Sequence, residues 1–341
     1  MRAVNTAMES VQVTKNISDI LTFAFNHTSE HSCIVVYDLN SELSKIITEG
    51  YQKALPNAQF VDFDQTSPDT ILESFRQLKP LDLVVLIQST NFRLESFRIR
   101  MELFKRGLKV IEHPHLSRMN SSEVQYYIQS LAYDPAYYRG LGYSLKTKID
   151  QSLNCLIDTG GEILTYGSKL EPAKLNVGDY SQMQNVGGQF PIGEVFTEAV
   201  DFDSVNGRAR IFCFGDSTYN VNAPDIPITL VIERSLVVNV ENSTPAFDQV
   251  MQSIIADEGQ VFVRELGFGL NRAFSRAQKV SDVGTFERMC GVHLSLGRKH
   301  DSYVKPGFKR GAGKNHIDVF LATEFVRIND EVIFQSGKWT V

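Results

Sequence analysis

The chain has 341 residues, 43% hydrophobic and 22% charged, which fits a globular protein too long for one ordinary core. Its 34 basic and 40 acidic side chains leave a net charge of −6, so it lacks the basic excess that a general nucleic-acid surface needs. No stretch approaches 18 uninterrupted apolar residues, and the first thirty residues lack the apolar run and small-residue cleavage site of a signal peptide; the cytoplasm is the expected location, with no membrane partner.

The first half alternates two kinds of pattern. Cys33-Ile34-Val35-Val36-Tyr37 is an apolar run of the kind a parallel strand shows when both its faces are covered. Leu43, Ile46, Ile47 and Tyr51 then recur at helical spacing. Ala58–Phe63, Leu81–Ile87 and Leu108–Glu112 read as further strands with helical stretches between them, predicting an α/β domain with an open, mostly parallel sheet. No glycine-rich turn follows the first strand (Tyr37-Asp38-Leu39-Asn40-Ser41), so no nicotinamide cofactor is inferred.

From about Leu153 the pattern shifts to short strands with frequent turns, interrupted by one clear helix over residues 244–258. The boundary is expected between residues 140 and 152, giving an α/β domain over 1–145 and an α+β, β-rich domain over 146–341. The four cysteines, Cys33, Cys155, Cys213 and Cys290, lie far apart with no CxxC, and are expected as reduced core thiols.

The second half holds the residues suited to chemistry. Glu194 sits between Gly193 and apolar neighbours, and Glu265 follows Val261-Phe262-Val263 and precedes Leu266-Gly267-Phe268-Gly269, whose glycines allow other chain segments to come close. Alternation puts His293 and Ser295 on one face of a strand, opposite Val292, Leu294 and Leu296. In an extended strand His316 and Asp318 project together, and an imidazole with a carboxylate suits zinc, manganese, cobalt or iron. Taken singly, each of these also suits a solvated acid or a hydrogen-bonded core histidine.

Together they have an order and spacing that resembles the aminopeptidase T and aminopeptidase S family of dinuclear, leucyl aminopeptidase-like metallo-aminopeptidases. The resemblance runs through GEVFTEAVDFDSVNG (193–207), ELGFGLN (265–271), GVHLSLG (291–297), HID (316–318) and NDEVIFQSGKWTV (329–341), most of the second half. It implies a homodimeric hydrolase that binds two divalent metal ions (zinc, cobalt or manganese) through Glu194, Glu265, His293, His316 and Asp318, with Glu265 or Asp318 bridging. The substrate so implied is a small peptide or amide with a free amino terminus, attacked by a metal-activated water.

Two positions carry over loosely. Glu287 lies one residue out of register with the family's acid before the histidine, and is expected as a ligand or general base. The register of the family's tyrosine after that histidine holds His300, with Tyr303 three residues on; either one, or neither, would assist catalysis. The 298–314 segment is short for the family and carries Arg298, Lys299, Lys305, Lys309, Arg310 and Lys314, a solvated loop or a cationic rim for an anionic substrate. It is not a phosphate loop, since Phe308 holds the first glycine position and Asn315 replaces Ser/Thr. The alternative function is a mononuclear non-haem iron(II) ring-cleaving dioxygenase related to 2,5-dihydroxypyridine 5,6-dioxygenase. Those enzymes use a histidine where this chain has Glu265 and dispense with ligands like Glu194 and His293.

Overall fold

A computed structural model describes residues 2–92, 94, 99–300, 302–305, 307–308, 311 and 313–341. The chain divides into two compact units. One contains the residues up to Arg139 together with Gly178–Ile192, and the other Gly140–Val177 with Gly193–Val341.

The first unit is built on the expected parallel sheet. Its strands run in the order Gln59–Asp62, Cys33–Tyr37, Leu83–Ile87, Lys109–His113 and Gly187–Gln189, every neighbour parallel. Leu83–Ile87 is buried at every position, which explains its unbroken apolar run. Helix Glu42–Ala54 starts at a capping box in which the Ser41 hydroxyl accepts from the Ser44 amide, and it buries Leu43, Ile47 and Tyr51. The fifth strand departs from the expected boundary. Gly187–Gln189 belongs to this sheet, although the sequence placed all of 146–341 in the second domain.

The second unit is antiparallel and β-rich, with fourteen strands among the described residues. The order through its centre is Val205–Gly215, Ile317–Leu321, Gly291–Leu296, Val263–Gly269, Glu194–Glu198 and Lys174–Asn176. Helix Pro245–Glu258 is capped by the Thr244 hydroxyl, which accepts from the Phe247 amide, and closes at Gly259 in the left-handed region. Cys33, Cys155 and Cys213 are buried and Cys290 partly so, all as free thiols. No helix of the described residues is long and apolar enough to cross a membrane.

Candidate metal centre

Four adjacent strands of the second unit carry the centre. In the antiparallel register Glu198 lies opposite Glu265, Phe196 opposite Gly267 and Glu194 opposite Gly269. On the other side of that strand His293 pairs with Gly267, and beyond it Ser295 pairs with Asp318. Alternate residues share a face, so this register collects Glu194, Glu198, Glu265, His293 and Asp318 on one side of the sheet. His316, one residue before its strand, joins them at its edge.

The Val263–Gly269 strand is irregular where it matters. Its register against Gly291–Leu296 shifts between Val263 and Leu266, leaving an extra residue on this side. The bulge lets two consecutive side chains, Arg264 and Glu265, reach the same cluster. The Glu265 amide donates to Ser295 Oγ at 3.0 Å, replacing a ladder bond.

Two glycines make the space. A Cβ on Gly267 would lie 2.1 Å from Cε1 and Nε2 of His293, so the imidazole folds flat over a bare Cα. A Cβ on Gly269 would lie 2.0 Å from the Met289 carbonyl oxygen, so the backbone beside Arg288 can come close. Gly267→Ala is therefore expected to push the His293 ring out of place. Cation binding at His293 should be lost and activity should fall about 100-fold or more, the loss of a few kcal/mol. Elemental analysis and the rate of the purified variant check this.

All five expected ligands meet, in two overlapping groups. Ligand atoms of Glu194, Glu265 and His293 lie within 4.8 Å of one another, and so do those of Glu265, His316 and Asp318. Glu265 belongs to both. His293 Nε2 is 3.3 Å from Glu194 Oε1 and 3.4 Å from Glu265 Oε1, and His316 Nε2 is 3.2 Å from Asp318 Oδ1. None of these contacts has hydrogen-bond geometry: both nitrogens of His293 and Asp318 Oδ1 are buried without a hydrogen-bond partner among the described residues. Buried polar atoms are nearly always paired, and unpaired ones that converge are what an ion-binding site looks like. Imidazole and carboxylate donors in this mixture fit zinc, cobalt, manganese or iron(II).

Electrostatics points the same way. Burial alone would raise the Glu265 carboxyl, but contacts with His293 and His300 and the charge of His316 outweigh it and hold the group well below the usual range. Burial opposes protonation of His316, yet the Asp318 carboxylate and Glu265 push it up to about 10. His293 is driven well above the ordinary histidine value against its own burial, by Glu194 and Glu265. Among protein groups alone, protons on the imidazoles balance the carboxylates; divalent cations would take over that role.

The remaining candidates divide. Glu287 pairs with Arg288 beside the centre, and burial, opposed by Arg288 but aided by the charges of Glu194 and Asp318, pushes it up to about 8. His300 Nε2 lies 2.7 Å from Glu265 Oε2, and its Nδ1 is 3.3 Å from Glu198. The Tyr303 hydroxyl instead donates to the backbone carbonyls of Pro172 and Phe196, at 2.8 and 3.3 Å, while its ring stacks on His300.

Three residues escaped sequence reasoning. Glu198 shares a strand face with Glu194, a signal that alternation contained. Arg264 pairs with Glu198 at 2.6 Å, both side chains buried, and its guanidinium lies over the Phe202 and Phe308 rings. Arg288 binds Glu194 Oε2 at 2.8 Å. In the basic segment, Lys305 is buried against Glu171 and the Ala199 carbonyl, and Lys314 pairs with Asp257, so these two are committed within the chain. Lys309 and Arg310 lie outside the described residues.

The sequence matches no family model and no curated protein. Several solved structures match the fold. One, "Wild-type AmpT from Thermus thermophilus", superposes with a TM-score of 0.61 at 11% identity, covering 97% of this chain and 99% of that one. The likeness establishes a shared fold.

Proposed function

We propose that the chain is a metal-dependent hydrolase of the aminopeptidase type, which cleaves an amide bond next to a free amino terminus. One observation carries this reading. Glu265 belongs at once to two groups of three ligands, one completed by Glu194 and His293, the other by His316 and Asp318. A carboxylate shared in this way suits two neighbouring cations better than one. The fold shared with AmpT and the motifs of the aminopeptidase T and S family support the same class.

Two divalent cations held by these five residues would activate water as a nucleophile and polarise the scissile carbonyl. The protein's own groups do the rest. Glu287, partly buried and raised toward neutrality, is proposed to accept the proton of the attacking water and pass it to the leaving amine. We assign to His300, ahead of Tyr303, the donation of a hydrogen bond as charge builds on the carbonyl oxygen. His300 Nε2 lies beside Glu265 within the centre, whereas the Tyr303 hydroxyl is turned to the Pro172 and Phe196 carbonyls. A homodimer is proposed from the same family resemblance.

Protein stripped by a chelator is expected to lose hydrolysis of an aminoacyl amide. It should regain that activity with zinc, cobalt or manganese, without consuming oxygen. Oxygen uptake that depends on ferrous iron, with no amide cleavage across a broad panel, would replace this reading with the dioxygenase one.

A further inference from the structure

The two ligand groups share Glu265, so whatever else separates them decides how strongly each holds a cation. Three differences all point the same way. First, the Arg288 guanidinium sits against Glu194, 2.8 Å from Oε2, and also pairs with Glu287. Its side chain is only 7% exposed, so water screens its charge poorly. A cation bound by Glu194, Glu265 and His293 therefore meets a fixed positive charge that already holds one ligand oxygen. Among the described residues, no lysine or arginine pairs with Asp318 or His316.

Second, the two histidines are prepared to different degrees. His316 Nδ1 lies 3.0 Å from the Lys299 carbonyl oxygen. Donating there fixes the ring and leaves Nε2 as the free acceptor beside Asp318, the arrangement that orients metal-binding imidazoles. His293 Nδ1 has no hydrogen-bond partner among the described residues, so nothing sets its tautomer. Third, the His316 side chain is 30% exposed and that of His293 is fully buried, so an entering cation reaches His316 first.

We infer that the centre fills in a fixed order: Glu265, His316 and Asp318 take the first divalent cation tightly, and Glu194, Glu265 and His293 take the second weakly, with Arg288 setting the difference. This rests on the dinuclear reading proposed above and adds to it a regulating residue. The enzyme then depends on the free concentration of the second ion, and Arg288 acts as a positioning and tuning residue that touches neither ion.

Calorimetric titration of the chelator-stripped full chain with cobalt(II), with elemental analysis at each plateau, tests this. Two steps are expected, about tenfold or more apart in affinity. His293→Ala should keep the tight step and lose the weak one, and His316→Ala should lose the tight one. Arg288→Met should tighten the second step by about tenfold or more, because the fixed positive charge that competes with the ion for Glu194 is then gone. Arg288→Lys should preserve the gap. A merely structural role for Arg288 gives the opposite sign, a weaker second step in Arg288→Met, and that result overturns the inference. So do two equal steps in the unaltered protein, or loss of the tight step in His293→Ala. The histidine variants decide the order if Arg288→Met does not fold. Saturation at a single ion in the unaltered protein removes the dinuclear reading itself, an outcome distinct from two ions bound in the wrong order.

Discussion

Glu265→Gln is expected to cut amide hydrolysis by about 1000-fold or more while the chain stays folded. The substitution keeps the side chain's size and removes one charge from the carboxylate that both ligand groups share. Each group would then retain one carboxylate and one imidazole, too little to hold a divalent ion firmly. A positioned Lewis acid contributes several kcal/mol to such a reaction, and about 1.4 kcal/mol is a factor of ten. Metal content should fall with the rate, below one ion per chain after desalting. Full metal content with a lost rate would mean that Glu265 acts on protons rather than as a ligand.

Arg264→Met is expected to have the largest effect on stability. Arg264 and Glu198 form an ion pair at 2.6 Å with side chains 1% and 0% exposed, and the second Glu198 oxygen has no hydrogen-bond partner among the described residues. Removing the guanidinium leaves a buried carboxylate whose one remaining ion-pair partner among the described residues is His300 Nδ1, at 3.3 Å. Breaking one side of a buried pair costs about 3–5 kcal/mol. Denaturant unfolding of the chelator-treated protein measures this. The double variant Arg264→Met/Glu198→Gln should recover much of the loss, since the uncompensated charge is then gone. A single variant within about 0.5 kcal/mol of the parent would show that water reaches Glu198 and the pair is not a dry one.

The parallel strands of the first unit could be read from sequence because burial on both faces demands unbroken apolar runs, as in Cys33–Tyr37 and Leu83–Ile87. Gly187–Gln189 could not. Gly-Gly-Gln has no side-chain pattern, and its pairing to Lys109–His113 is decided by backbone more than seventy residues away in sequence. The five candidate ligands were legible for two reasons. His316 and Asp318 follow strand alternation directly, and the rest follow the spacing of the family motifs. Arg264 was not, because the bulge at Glu265 breaks the alternation that would have placed it. Lys305 and Lys314 suggested a cationic rim only because their acids, Glu171 and Asp257, come from distant parts of the chain. A loop's charge can be counted from sequence, but its partners are set by tertiary packing.

A crystal structure of the cobalt-loaded protein, with the ions located by anomalous scattering, tests the central claim most directly. Two ions about 3.5–4 Å apart are expected. Glu265 should touch both, Glu194 and His293 should bind one, and His316 and Asp318 the other, at about 2.0–2.3 Å. A single ion at saturating cobalt, held by Glu265, His316 and Asp318 while Glu194 stays paired with Arg288 alone, would contradict it.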